Sequence, residues 1–223
     1  MRKLWDFHGG IHPQEMKSLS NQTAISQATI PPKLVLPLQQ HIGAASKVIV
    51  EVGQYVLKGE TLAEADGMIS VSLHAPTSGT IQEISDQAIA HPSGQNDLCI
   101  TLIPDGKDQW GSLEPCEDYQ ALSKQEIQAK VKDAGIAGMG GAGFPTNIKL
   151  QPPKHAKIEI LILNAAECEP YITSDDRLLR ERANEVVAGL KIVSSVLQPK
   201  ECLIGIEDNK PEAIAALLEA TKD

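Results

Sequence analysis

The sequence predicts a compact β domain followed by a parallel α/β domain. Three observations carry this. Residues 30–102 hold short alternating apolar segments punctuated by glycines; a turn-rich break lies near 104–122; helical and strand periods then alternate to the C-terminus. The expected division is a segment and β domain over 1–110, a linker over 111–122 and an α/β region over 123–223.

Composition sets the outer limits. The chain has 223 residues, 42% apolar and 22% charged, which suits a folded protein with room for a core. Its net charge of −9 is shared by both halves, with 7 basic against 11 acidic side chains over 1–110 and 13 against 18 over 111–223. Neither half offers a basic footprint for nucleic acid. No apolar stretch approaches the roughly 18–20 residues that cross a bilayer, and Met1-Arg-Lys-Leu-Trp5 lacks the apolar core of a signal peptide, so a cytoplasmic location without a direct membrane span is expected. Cys99, Cys116, Cys168 and Cys202 are scattered without a CxxC, and the six histidines show no ligand spacing. No metal site is expected within this chain, and all the cysteines but Cys168 read as small buried apolar residues.

In the β region, Val48-Ile-Val-Glu-Val52, Val71-Ser-Leu73 and Thr80-Ile-Gln-Glu-Ile84 alternate in strand fashion, with Gly53, Gly59, Gly67 and Gly79 at the turns. Val52-Gly-Gln-Tyr-Val-Leu-Lys-Gly-Glu-Thr-Leu62 and Ala75-Pro-Thr-Ser-Gly-Thr-Ile81 are similar to the barrel-sandwich fold of lipoyl and biotinyl carriers. In such carriers a lysine on a hairpin tip bears the cofactor; the corresponding place here reads Gly67-Met68-Ile69. A structural or assembly role follows, with Lys58 a solvated side chain of the preceding turn. Pro104-Asp-Gly, Trp110-Gly-Ser and Glu114-Pro-Cys-Glu-Asp form the break.

Beyond it, Ser123-Lys-Gln-Glu126 is a capping-box sequence, Ile127, Val131 and Ala134 share a helical face, and Gly135 suits the position after the last turn. Lys157-Ile-Glu-Ile-Leu-Ile-Leu-Asn164 reads as a strand covered on both faces. A single helix is predicted from Ser174, its N-cap, to about Leu197, with Asp175 and Asp176 in the first turn, an apolar stripe from Leu178 to Val193, and the charges of 175–185 on a solvated face. Cys202-Leu-Ile-Gly-Ile206 reads as a second strand and Pro211 to about Lys222 as a last helix. Alternation of this kind implies a parallel sheet.

Two segments carry the chemistry. Gly138-Met-Gly-Gly-Ala-Gly-Phe-Pro-Thr146 lets backbone N–H groups approach a ligand closely, as a phosphate or a flat aromatic cofactor requires. Its spacing differs from the six-residue dinucleotide fingerprint, because a further glycine and then Ala-Gly-Phe-Pro follow. Asn164-Ala-Ala-Glu-Cys-Glu-Pro170 lies just beyond a strand's carboxyl end, where ligands of open α/β sheets bind. Lys149 is a compact cation suited to a phosphate, Asn164 offers donor and acceptor, Glu169 can bind ribose hydroxyls, and Phe144 offers a stacking face. Plainer readings stand beside these: a tight strand–helix connection for the glycines, a core aromatic for Phe144, a surface lysine for Lys149, and a helix-capping pair for Glu167 and Glu169.

Together with Phe7-His-Gly-Gly-Ile-His-Pro13 and Ile204-Gly-Ile-Glu-Asp-Asn-Lys-Pro211, these segments resemble the C subunit of Rnf-type ion-translocating electron-transport complexes and, more distantly, the flavin-binding subunit of respiratory complex I. The likeness runs over essentially the whole chain. It implies a barrel-sandwich domain followed by a Rossmann-like FMN-binding domain. Gly138, Gly140, Gly141, Lys149, Asn164, Glu167 and Cys168 fall at positions that contact FMN, and Phe144 and Glu169 where NADH is received. Hydride transfer between nicotinamide and flavin needs no side-chain acid or base, so no catalytic residue in the strict sense is implied.

Two departures stand out against the complex I relative: Met139 replaces an arginine and Ala166 an aspartate. Members of the family also continue into a further acidic segment, a β-grasp module and a C-terminal domain with cysteines for two [4Fe–4S] clusters, so the resemblance implies that this chain is the N-terminal part. The implied role is a peripheral subunit on the inner face of the cell membrane, taking hydride from NADH onto FMN and passing electrons towards iron–sulfur centres of an ion-translocating complex. A non-catalytic assembly module with an incomplete flavin site is the alternative.

Overall fold

The structure is a computed structural model that describes residues 8–11, 13–139, 143–153 and 155–222. Gly140 and Gly141, His12 and the first seven residues lie outside these. The chain forms two compact units that do not follow chain order: one comprises 28–157 with 195–198, the other 1–27, 158–194 and 199–223.

The first unit is built on β1 (Leu34–Pro37), β2 (Lys47–Val48), β3 (Tyr55–Val56), β4 (Thr61–Glu64), β5 (Leu73–His74), β6 (Gly79–Ala88) and β7 (Asn96–Pro104). These make two antiparallel sheets, one in the order β1-β7-β6-β3 and one in the order β2-β4-β5. Val56, Leu62, Ile81, Ile100 and Leu102 are fully buried and form its core with Leu38, Val50, Ala63 and Ala75. Gly79 begins β6 because a Cβ there would lie 2.2 Å from the carbonyl oxygen of Ile103, so only glycine fits that approach. In the β4–β5 connection Gly67 has φ +96° and Met68 is 82% exposed.

Lys58 is not a free solvated side chain. It pairs with Asp108 at 2.8 Å and lies 4.9 Å from the centroid of the Trp110 ring, while Asp108 also accepts from the Thr77 hydroxyl. The Lys58 hydrogen bond, with help from Thr77, holds the Asp108 carboxyl below its usual range. Residues 105–111 are thus laced to the barrel by Ser78, Lys58 and Thr77. The same unit carries α1 (Lys124–Asp133), with the Ser123/Glu126 capping box formed in both directions, and α2 (Thr146–Lys149).

The second unit pairs β8 (Ile160–Asn164) with β9 (Glu201–Gly205) in parallel, Ile160 opposite Glu201 and Asn164 opposite Gly205. Helices α3 (Ser174–Glu181), α4 (Ala183–Leu197) and α5 (Pro211–Ala220) supply Leu179, Ala183, Val187, Ala213 and Leu217, which bury with Ala165. β8 is covered on one face, not two: Leu161 and Leu163 are half-buried, whereas Ile160 and Ile162 are 50% and 61% exposed.

The single helix expected over 174–197 is two, turned at Arg182 (φ −135°, ψ 34°). No glycine or proline marks this corner. Contacts from outside the local sequence hold it: the Glu181 carboxylate accepts from the Ile25 N–H, and Arg180 reaches Glu212. Asp176 is buried to 1% exposure and tied to Arg180 at 2.6 Å, so the charges of 175–185 are only partly a solvated face. Thr173, not Ser174, occupies the N-cap position of α3, and its side chain makes no cap bond. Of the cysteines expected to be buried, Cys99 is; Cys116, in the turn-rich break, and Cys202, on β9, are exposed.

Candidate functional site

In the first unit the glycine segment is a hairpin. Ala137 bridges Pro145, the Gly138 N–H donates to the Phe144 carbonyl at 2.9 Å, and the Thr146 N–H donates to Ile136 at 3.0 Å. The Gly138 amide therefore closes the stem, and Gly140 and Gly141 lie outside the described residues. Gly135 launches the stem with φ +70°, its α-carbon so near Ser72 that a Cβ would sit 2.4 Å from that carbonyl oxygen. On the other arm, Gly143 accepts from the Ile42 N–H at 2.5 Å. His41, beside it, is buried, accepts from the Val71 N–H through Nε2 and meets the Ile42 carbonyl through Nδ1. A pocket of about 150 Å³ lies here, lined by Leu38, His41, Ser46, Leu73, Gly138 and others. Phe144 is half-buried and Lys149 exposed at the end of α2.

In the second unit the Asn164–Pro170 loop leaves the carboxyl end of β8. The Asn164 carboxamide oxygen accepts from the Ala166 N–H at 3.1 Å, making a local turn. Glu167 is 4% exposed, and its carboxylate caps α3 by accepting from Ser174 Oγ at 3.0 Å, Asp175 N at 2.9 Å and Asp176 N at 3.3 Å. Its own N–H donates to Glu207 at 2.9 Å, and Glu207 is ion-paired with Lys210, which is fully buried. Cys168 and Glu169 are exposed, and their N–H groups have no protein acceptor among the described residues. Burial lifts the Asp175 carboxyl above its ordinary range, and the charge of Glu167 adds to this. The loop therefore sits in acidic surroundings countered by the buried ammonium groups of Lys17 and Lys210.

The family model of the RnfC barrel sandwich hybrid domain matches residues 5–107, and that of the Nuo51 FMN-binding domain matches 131–223. The C subunit of the ion-translocating oxidoreductase complex of Vibrio cholerae is 53% identical over 221 residues, 99% of this chain and 28% of that protein. That of Serratia proteamaculans is 53% identical over 215 residues, 96% of this chain and 30% of its own length; that of Yersinia pestis is 51% identical over 220 residues, 99% and 35%. This chain belongs to the RnfC family. It spans about a third or less of the length of these relatives. Membership accounts for the two antiparallel sheets of residues 34–104 as a barrel-sandwich hybrid, and for an FMN-binding domain after it.

Sequence reasoning missed three residues that shape the loop of this RnfC-family chain. Lys17 donates to the carbonyl oxygens of Glu167, Glu169 and Ile172 at 2.6, 3.0 and 2.9 Å. Glu207 and Lys210 lie inside the quoted Ile204–Pro211 segment, where a lysine directly before a helix-starting proline, at the helix end that disfavours cations, was the available signal. Among the described residues no group of three or more His, Cys, Asp or Glu side chains could hold a metal ion.

Proposed function

We propose that this chain provides the FMN-binding and NADH-receiving portion of an electron-transport complex, peripheral on the inner face of the membrane and coupled there to ion translocation. FMN, when bound, supplies a two-electron acceptor that can release electrons singly. The residues present fit such a group. The exposed N–H groups of Cys168 and Glu169 at the end of β8 suit a ring carbonyl or an anion, and Lys149 suits a phosphate. The buried Asn147 Oδ1, in α2 beside the glycine hairpin, has no hydrogen-bond partner among the described residues, so it adds acceptor capacity near that hairpin.

On this reading Gly138, Gly140 and Gly141 bring the hairpin backbone close to the cofactor. Asn164 shapes the turn out of β8, Glu167 fixes the loop on α3 so that Cys168 can present its N–H, and Phe144 and Glu169 receive nicotinamide dinucleotide. β8 and β9 are the parallel pair of a Rossmann-like domain within 123–223, with 111–122 joining it to the barrel. Iron–sulfur centres, the next stage in electron flow, belong to a different segment of the full-length protein. No helix among the described residues is long and apolar enough to cross a membrane, which agrees with a peripheral position.

The observation that carries this proposal is the loop at the carboxyl end of β8, with two successive N–H groups that find no acceptor among the described residues. Titration of the purified chain with FMN tests it. Saturable uptake with a yellow colour supports the reading; a colourless chain that gains no flavin overturns it in favour of an assembly module.

A further inference from the structure

The loop from Glu167 to Ile172 is held from a distance in sequence. Lys17, 7% exposed, directs its ammonium at three of its carbonyl oxygens, and these three acceptors satisfy all three N–H donors of the side chain. Around it the segment 15–25 is stitched to the same region: the Tyr171 N–H donates to the Glu15 carbonyl at 2.8 Å, the Ser20 hydroxyl donates to the Tyr171 carbonyl, and the Asn209 amide donates to the Glu15 carboxylate at 2.9 Å. Tyr171 itself has φ +69°, a left-handed conformation that a tyrosine adopts only when its surroundings impose it.

We propose that Lys17 is a positioning residue for flavin: by gathering the carbonyls of Glu167, Glu169 and Ile172 on one side, it fixes the loop in the form that leaves the Cys168 and Glu169 N–H groups available to the ligand. This rests on the FMN reading given above. The physical ground is pre-organisation. A loop with three carbonyls satisfied by one buried cation has few alternative conformations, so binding a ligand to its remaining donors costs little ordering entropy. Without the cation those carbonyls turn to water, and the donor pair is lost with them.

The test uses Lys17→Met, which keeps the length of the side chain but removes all three donors, with Lys200→Met as control, since Lys200 is exposed and among the described residues its ammonium pairs with Glu159 alone. Amide exchange at Glu167, at Tyr171 and in β8, FMN affinity, and the visible band of the bound flavin are measured in each. K17M is expected to raise the FMN dissociation constant about tenfold, a loss within the range for hydrogen bonds to a charged group. Exchange should accelerate at Glu167 and Tyr171, whose N–H groups are bonded to Glu207 and Glu15, while β8 stays protected, and the flavin band should shift at saturation; K200M should change none of these. Should K17M fold poorly, Ser20→Ala removes one stitch and should give the same pattern more weakly. Parent-like affinity and exchange in K17M, or acceleration spread equally through β8, overturns the positioning role alone. A parent chain that takes up no FMN overturns the reading of the site and this assignment with it.

Discussion

Lys210 is fully buried, and its ammonium is paired with Glu207, the same carboxylate oxygen of which accepts the Glu167 N–H at 2.9 Å. One carboxylate thus joins a buried cation at the start of α5 to the loop after β8. The link explains why Glu167 faces α3 instead of solvent: its amide, its carbonyl and its carboxylate are all held, by Glu207, Lys17 and the first turn of α3 respectively.

Removing Glu207 leaves a buried ammonium whose remaining partner among the described residues is the Asn209 side-chain oxygen at 3.2 Å. Breaking one side of such a pair costs about 3–5 kcal/mol when fully buried, and the 29% exposure of the Glu207 side chain places Glu207→Ala near the lower end. The double variant Glu207→Gln with Lys210→Met keeps an acceptor for the Glu167 N–H and removes the unpaired charge. Urea unfolding should show it recovering most of the loss; equal destabilisation of both would show that the ion pair itself, not the unpaired ammonium, supplies the stability.

Acid should loosen the same region. Burial pushes the Glu207 carboxyl up, but the hydrogen bonds from Lys210 and the Glu167 N–H, with the charges of Lys210 and Lys17, outweigh it and hold it below the usual glutamate range. Glu181 is lowered too, chiefly by the Ile25 N–H. A carboxyl lowered by folding stabilises the fold above its unfolded value and loses that contribution as pH falls through its folded value. Asp175, raised by burial, works in the opposite sense and offsets part of the loss. Thermal stability should therefore hold from neutral pH to about 5 and drop below about 4, near and under the ordinary glutamate value. In Glu207→Gln the drop should be shallower; an identical acid limb would remove Glu207 from the account.

The sequence made the barrel legible because alternation and glycine spacing are local signals: Val56, Leu62 and Ile81 fall inward as the pattern requires. The capping box at Ser123 and the left-handed Gly135 were readable for the same reason. What escaped were features set by long-range partners. Lys17 lies 150 positions from Glu167, the corner at Arg182 depends on Ile25 and Glu212, and Lys58 finds Asp108 50 positions later. No period in the chain encodes these pairs. In the site, the strand-end loop was legible from Asn164–Pro170, while the capping role of Glu167 stood only as the plainer of two readings.

Gly135→Ala should damage the glycine hairpin without touching a ligand. Its φ of +70° is unfavourable for alanine, and the added Cβ would lie 2.4 Å from the Ser72 carbonyl oxygen. The left-handed conformation alone costs about 1–2 kcal/mol, and the clash adds to it. A fall in melting temperature is expected, with weaker FMN uptake because the stem at Ala137 begins two residues on. An unchanged melting temperature would contradict the close approach of Gly135 to Ser72.

Lys149→Ala tests the phosphate cation. Lys149 is exposed at the last position of α2, so its removal leaves no buried group unpaired and should not alter stability. Loss of a charge-assisted contact should weaken FMN binding by about 1.5–3 kcal/mol, or roughly 10- to 150-fold. Riboflavin, which lacks the phosphate, should bind parent and variant alike. Equal FMN affinity in the two proteins would dismiss Lys149 as the phosphate ligand.

The last prediction concerns the extent of the site. This chain spans 28% of the length of its Vibrio cholerae relative, and the flavin ligands proposed above number one loop, one hairpin and one exposed lysine. A flavin mononucleotide presents a phosphate, a ribityl chain and a ring edge, each with hydrogen-bonding groups to be met. Each 1.4 kcal/mol of contact is tenfold in affinity, so a chain extended to the length of its relatives should bind FMN tighter than residues 1–223 by about two orders of magnitude or more. It should also oxidise NADH with an artificial electron acceptor at a rate well above that of the shorter chain. Side-by-side titration and turnover assays decide the point: matching affinities and rates would mean that the complete site lies within 1–223, and that the N–H groups of Cys168 and Glu169, Lys149 and the glycine hairpin suffice for both binding and hydride transfer.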